Sequence, residues 1–184
     1  MRVKSRKSTS CGINKADALA LLEKEGCSDH LKRHVTAVSK YARTLAEKIK
    51  FNGYSIDPDF VEVAALLHDI GRCRTNGVSH GIEGCRMLES ISPAIARVCE
   101  VHIGAGLDKN EAAALGLPPK DYMPTTLEEK VVAHADNLVQ GDKVVTIKEA
   151  VEEFEGKLGK GHSAVKRIKD LNDYVEGLCK NAKT

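Results

Sequence analysis

Between positions 31 and 49 the apolar residues Leu31, Val35, Val38, Ala42, Leu45, Ala46 and Ile49 return every three or four places. That spacing lines one face of an α-helix; a strand would repeat every two. The rest of the chain agrees with this reading. Aromatics are only 4% of 184 residues and Trp is absent, so the core must be built from Ala, Leu, Val and Ile. Such residues suit packed helices better than a sandwich of sheets. The expected class is all-α, and the length suits one domain with its own buried core.

Punctuation residues divide the chain into some nine helices. Asn14 caps a helix over 15–25 that Gly26 ends, and Ser28 or Asp29 caps the long helix that Asn52-Gly53 breaks. Asp57-Pro58 opens a third helix, which runs to His68 and stops at Gly71. Further helices are predicted over 80–89, from Pro93 to His102, near 110–115, from Thr125 or Thr126 to Val139, over 147–157 and over 163–180, with no convincing strand. Residues 1–13 read as a flexible basic tail, and 14–184 as a single domain with a C-terminal helical extension.

Charge and cysteine usage narrow the function classes. The net charge is +2, but Arg2, Lys4, Arg6 and Lys7 lie among ten residues with no acid, so the remaining chain is slightly acidic. Long nucleic acid is therefore not an expected partner. No stretch approaches the roughly 20 apolar residues of a membrane span, and the basic start lacks the apolar core of a signal peptide, so a cytoplasmic location is expected. The six cysteines form no C-x-x-C pair, and the expectation is reduced thiols rather than disulfides or a cysteine zinc site.

The chemistry concentrates in Leu66-Leu67-His68-Asp69-Ile70-Gly71. Adjacent imidazole and carboxylate groups at the end of an apolar helix can lean toward one point, and together they suit a divalent metal. Two ligands are too few. His34 and Asp136 each lie on an apolar helix face, where a polar side chain needs a partner. His34, His68, Asp69 and Asp136 would hold one metal; His80 and His102, with Asp69 bridging, would hold a second.

The order H…HD…H…H…D resembles the HD-domain superfamily of metal-dependent phosphohydrolases, and His68-Asp69-Ile70-Gly71 matches its HDIG subgroup. His34-Val35-Thr36-Ala37-Val38, Ala64-Ala65-Leu66-Leu67 before the motif, His80-Gly81-Ile82-Glu83-Gly84-Cys85 and Ala135-Asp136 carry the resemblance over roughly 28–140. Small stand-alone archaeal and bacterial members look most similar. The resemblance implies a helical bundle around a central metal, with the first four residues as defining ligands and His80 and His102 as those of dinuclear members. Arg72 stands where many members have Lys, Ile103 follows His102 where many have a second His, and the GYP motif of cyclic-di-GMP hydrolases is absent.

The function expected is hydrolysis of a nucleotide or cyclic nucleotide phosphate ester by metal-activated water. Asp69 and Arg72 are the catalytic candidates, and Arg72 and Arg74 the phosphate-binding ones. The cofactor would be manganese, iron, cobalt, nickel, magnesium or zinc, one or two ions per chain. Two other classes stay open: an HD-type di-iron oxygenase, which the four-His, two-Asp set also resembles, and a metal-stabilised nucleotide sensor without turnover. Among the other histidines, His30 is expected at the surface and His134 turned away from the metal. Gly159-Lys160-Gly161-His162-Ser163 is a solvated linker, not a P-loop.

Overall fold

The computed structural model describes residues 12–182. They form nine α-helices: α1 (Lys15–Lys24), α2 (Asp29–Phe51), α3 (Pro58–Leu67), α4 (His80–Leu88), α5 (Pro93–Val101), α6 (Lys109–Ala114), α7 (Leu127–Asn137), α8 (Ile147–Leu158) and α9 (Ser163–Lys180). A 3-10 turn, Ile70–Cys73, joins α3 to the loop before α4. The expected tail lies almost wholly outside the described residues. Among those residues no helix is long and apolar enough to cross a membrane.

Local chemistry sets the helix starts. Asn14 accepts from the Ala16 and Asp17 amides while Asp17 reaches back to the Asn14 amide. Ser28 accepts from Leu31 N at 3.2 Å, and Asp57 accepts from Asp59 and Phe60 with Pro58 in the first turn. Thr126 and Thr146 form the same reciprocal boxes with Glu129 and Glu149. Each box satisfies amides that have no partner within their own helix.

Helix α2 packs along α3 and α7, and this contact is the centre of the core. Val35, Val38, Ala42 and Ile49 are fully buried against Val61, Ala64 and Ala65 of α3 and Val131, Val132 and Ala135 of α7. The alanines let helix axes approach, and each buried Leu, Ile or Val contributes about 1.5–3 kcal/mol of transfer free energy. Helix α9 closes the bundle over α7 and α2 and supports α8.

Two features depart from the sequence reading. Helix α7 ends at Asn137, and Val139–Gln140 pairs antiparallel with Lys143–Val144 as strands β1 and β2. The turn between them is Gly141-Asp142, with Gly141 at φ 62°, the positive φ that a two-residue hairpin turn takes at its first position. Strands of two residues carry no readable periodicity. The second departure is a disulfide between Cys27 and Cys73, where reduced thiols were expected. A sequence separation of 46 hides the pairing, and the fold brings their Cα atoms to 5.2 Å. Cys85, Cys99 and Cys179 are free.

Candidate metal centre

Six polar side chains from five helices meet at one end of the α2–α3–α7 contact. His34 comes from α2, His68 caps the C-terminus of α3, and Asp69 follows it directly. His80 opens α4, His102 caps the end of α5, and Asp136 sits in the last turn of α7. His68, Asp69, His80 and His102 are each 3% exposed or less. Helix ends bring the cluster together because their side chains can lean past the last turn.

Glycine makes the convergence sterically possible. A Cβ on Gly71 would stand 2.0 Å from the His80 carbonyl oxygen and 2.6 Å from Gly84 N. A Cβ on Gly81 would stand 2.7 Å from the Cys99 carbonyl oxygen. Only hydrogens fit, so the 3-10 turn, the start of α4 and the end of α5 can share one point. The Gly of the His-Asp-Ile-Gly motif is therefore a packing requirement.

The four histidines are oriented alike. Each Nδ1 donates to a main-chain carbonyl: His34 to Gly141 at 2.8 Å, His68 to Ala65 at 2.7 Å, His80 to Gly77 at 2.8 Å and His102 to Cys99 at 2.7 Å. A neutral imidazole has one N–H, so this commitment leaves an Nε2 lone pair facing inward on every ring. The hairpin turn thus has a task, since the Gly141 carbonyl sets the ring of His34.

Inward, the acceptors crowd together. Asp136 Oδ1 lies 3.0 Å from His34 Nε2 and 3.3 Å from His68 Nε2. Asp69 Oδ1 lies 3.0 Å from His80 Nε2 and 3.3 Å from His102 Nε2, and these two nitrogens are 3.1 Å apart. Asp69 Oδ2 turns the other way, 3.9 Å from both His34 Nε2 and His68 Nε2. His68 Nε2 and Asp69 Oδ1 are buried with no hydrogen-bond partner. Lone pairs aimed at one another repel unless a cation lies between them. Sets of three ligand atoms within 4.8 Å of one another are formed by His34, His68 and Asp69, by His68, His102 and Asp136, and by Asp69, His80 and His102. These donors fit a divalent metal, and the two faces of Asp69 suit a bridge between two.

Electrostatics fit the same picture. Burial works to lower the His68 pKa, yet the Asp136 and Asp69 carboxylates outweigh it and raise it to about 9. Burial works to raise Asp69 and Asp136, yet the facing histidines, His68 foremost, hold both well below the usual carboxylate range. His102 is lowered by burial. The site favours positive charge at its centre, supplied by protons or by a metal.

Two cavities open onto the cluster and share His34, Asp69 and Arg72. One, of about 510 Å³, is walled by Ser28, His30, Leu31 and Asn76. The other, of about 280 Å³, also exposes His80, His102 and Asp136 and is walled by Ile103, Gln140, Phe154 and Lys157. Arg72 Nε donates to Asp69 Oδ2 at 2.5 Å. Arg74 instead pairs with Glu25 at 2.5 Å and lines neither cavity, so it is not brought to the cluster. His134 does point away, buried near Tyr41 with ring centroids 6.5 Å apart. A larger depression of about 880 Å³ on the outer side of α2 touches none of the six residues. Sequence reasoning missed Phe154 and Lys157 of α8 and Gln140 of β1, because nothing local ties an amphipathic helix to a distant cavity.

A family model described as the HD domain matches residues 31–140, and the chain belongs to the HD-domain family, within a superfamily of metal-dependent hydrolases. It is 50% identical over 165 residues, 89% of this chain and 97% of the relative, to an uncharacterized protein of Methanocaldococcus jannaschii. It is 42% identical over 163 residues to a tRNA (cytidine(56)-2′-O)-methyltransferase of Picrophilus torridus, covering 88% of this chain and 46% of that protein. A protein of the same description from Thermoplasma volcanium is 40% identical over 164 residues, 88% of this chain and 44% of that one. The chain thus spans less than half of either methyltransferase. No solved structure matches.

Proposed function

We propose that this chain hydrolyses a nucleotide or cyclic nucleotide phosphate ester at a divalent metal centre held by His34, His68, Asp69, Asp136, His80 and His102. The observation that carries the reading is the inward convergence of acceptor atoms, with His68 Nε2 and Asp69 Oδ1 left without partners in a buried place. A bound divalent ion supplies there a water of lowered pKa, ~7 in favourable cases, as the nucleophile.

The chain's own residues do the rest. The carbonyls of Gly141, Ala65, Gly77 and Cys99 lock the rings, so the ligands do not reorganise when a substrate arrives. Arg72 is anchored through Nε to Asp69 and lines both cavities, where its remaining guanidinium nitrogens can take a phosphate oxygen. Among the described residues the one carboxylate beside the ligands on the cavity walls, Glu153, pairs with Lys157, and on this reading the leaving oxygen takes its proton from solvent. The tRNA-directed names of two relatives support an RNA-derived nucleotide as substrate.

Protein stripped of metal and reloaded with manganese, iron, cobalt, nickel, magnesium or zinc should hydrolyse members of a panel of phosphate monoesters, diesters and 2′,3′-cyclic nucleotides. It should lose that activity on chelation and on Asp69→Ala substitution. Oxygen consumption by the iron-loaded protein without phosphate release would reject the reading in favour of an oxygenase; tight nucleotide binding without product would reject it in favour of a sensor.

A further inference from the structure

We infer that the site is built for a phosphodiester carrying a separate substituent on each side of the phosphorus, with a nucleoside in the larger cavity. This rests on the phosphohydrolase reading above and narrows it.

The centre lies where two cavities meet. A terminal phosphate has one substituent and needs one cavity. Here His34, Asp69 and Arg72 line two, and the walls are otherwise different residues. The larger, about 510 Å³, falls within the ~300–1,000 Å³ of small-molecule sites, and Ser28, His30 and Asn76 offer it hydroxyl, imidazole and amide groups for a sugar and base. The smaller, about 280 Å³, offers the Phe154 ring and the Gln140 amide to a smaller group.

The cavity walls add little selection by charge. A phosphomonoester carries about −1.5 to −2 at neutral pH, whereas a diester carries a single negative charge. Outside the metal ligands the cavities present two fixed cations, Arg72 and Lys157. Arg72 already pairs with Asp69, and Lys157 with Glu153. Beyond the charge of the ions themselves, the walls therefore supply little that would select a dianion over a monoanion, and the choice rests on the two cavities. Water oxygen bonds to phosphorus, the phosphorus–oxygen bond to one substituent breaks, and that oxygen leaves as an alcohol with a solvent proton.

The test compares uridylyl-(3′→5′)-uridine with uridine 3′-monophosphate, uridine 5′-monophosphate and uridine 2′,3′-cyclic phosphate on the manganese-loaded protein. The dinucleotide should give at least a tenfold higher kcat/KM than any of the others. Asn76→Trp fills the larger cavity and Gln140→Trp the smaller; each should lower kcat/KM for the dinucleotide at least tenfold. Each should also weaken calorimetric binding of the non-hydrolysed phosphorothioate dinucleotide by a similar factor, with both variants melting near the wild type. Preference for a monoester or the cyclic phosphate, or sensitivity to only one of the two fillings, overturns the inference while leaving the hydrolase reading intact. Failure to hydrolyse any of the four esters overturns the inference, and failure across the six metals and the wider panel above overturns the hydrolase reading as well.

Discussion

Substituting Gly71 by Ala adds one methyl group at the tightest point of the molecule. Its Cβ would meet the His80 carbonyl oxygen at 2.0 Å, Gly84 N at 2.6 Å and the His80 carbonyl carbon at 2.9 Å. All three are main-chain atoms, so no side chain can swing aside; the 3-10 turn must separate from α4. Overpacking of this kind costs about 1–3 kcal/mol, occasionally more, and three backbone contacts below 3.0 Å place Gly71→Ala at about 3 kcal/mol or above. For a domain of this size each kcal/mol lowers Tm by ~2–4 °C, giving a fall of ~6–12 °C. Gly77→Ala is the matched control. Its nearest atoms, Ser79 Oγ at 3.8 Å and Thr75 Oγ1 at 3.9 Å, are ordinary contacts, and the expected change is within ~0.5 kcal/mol. Calorimetric melts in excess chelator remove the contribution of metal binding and isolate packing. A Gly71→Ala melt within ~2 °C of wild type would show that the turn and α4 are not in this contact, and the steric account of the motif would fall.

Elemental analysis of manganese-loaded protein should show His80→Ala and His102→Ala each losing about one equivalent while the ion at His34, His68 and Asp136 stays; unchanged stoichiometry in both variants would make the centre mononuclear. His134→Leu should keep its metal and gain ~1 kcal/mol, because His134 Nε2 is buried without a partner. Burial lowers the pKa of His134 from 6.5 to about 4, so only the unfolded chain takes up this proton in that interval. Wild type therefore loses stability as pH falls from 6.5 to about 4, and the variant should lose less; parallel pH–stability curves would contradict this. Reducing the Cys27–Cys73 disulfide, which closes a 46-residue separation, should cost ~2–4 kcal/mol in chemical denaturation; an unchanged midpoint would show the bond contributes nothing.

The sequence by itself determined the all-α class, the helix starts and the inward residues of the centre. These are local properties: a period of three to four, a capping oxygen beside free amides, and polar side chains on apolar faces that need partners. His34 and Asp136 were legible for that reason, His68 and Asp69 as an adjacent pair at a helix end, and His80 and His102 through the order H…HD…H…H…D and its resemblance to the family; the structure brings all six together. Arg74 was legible as a neighbour of the motif, yet tertiary packing turns it to Glu25. The disulfide, the β1–β2 hairpin behind His34 and the wall contributed by Phe154 and Lys157 belong to tertiary structure alone. Each depends on which distant segments meet, and no local period, cap or charge pattern encodes that meeting. Gly71 stands between the two. Its place after the His-Asp pair is visible in the chain, but the reason for it, a carbonyl 2.0 Å from where its Cβ would be, exists only once α4 has docked.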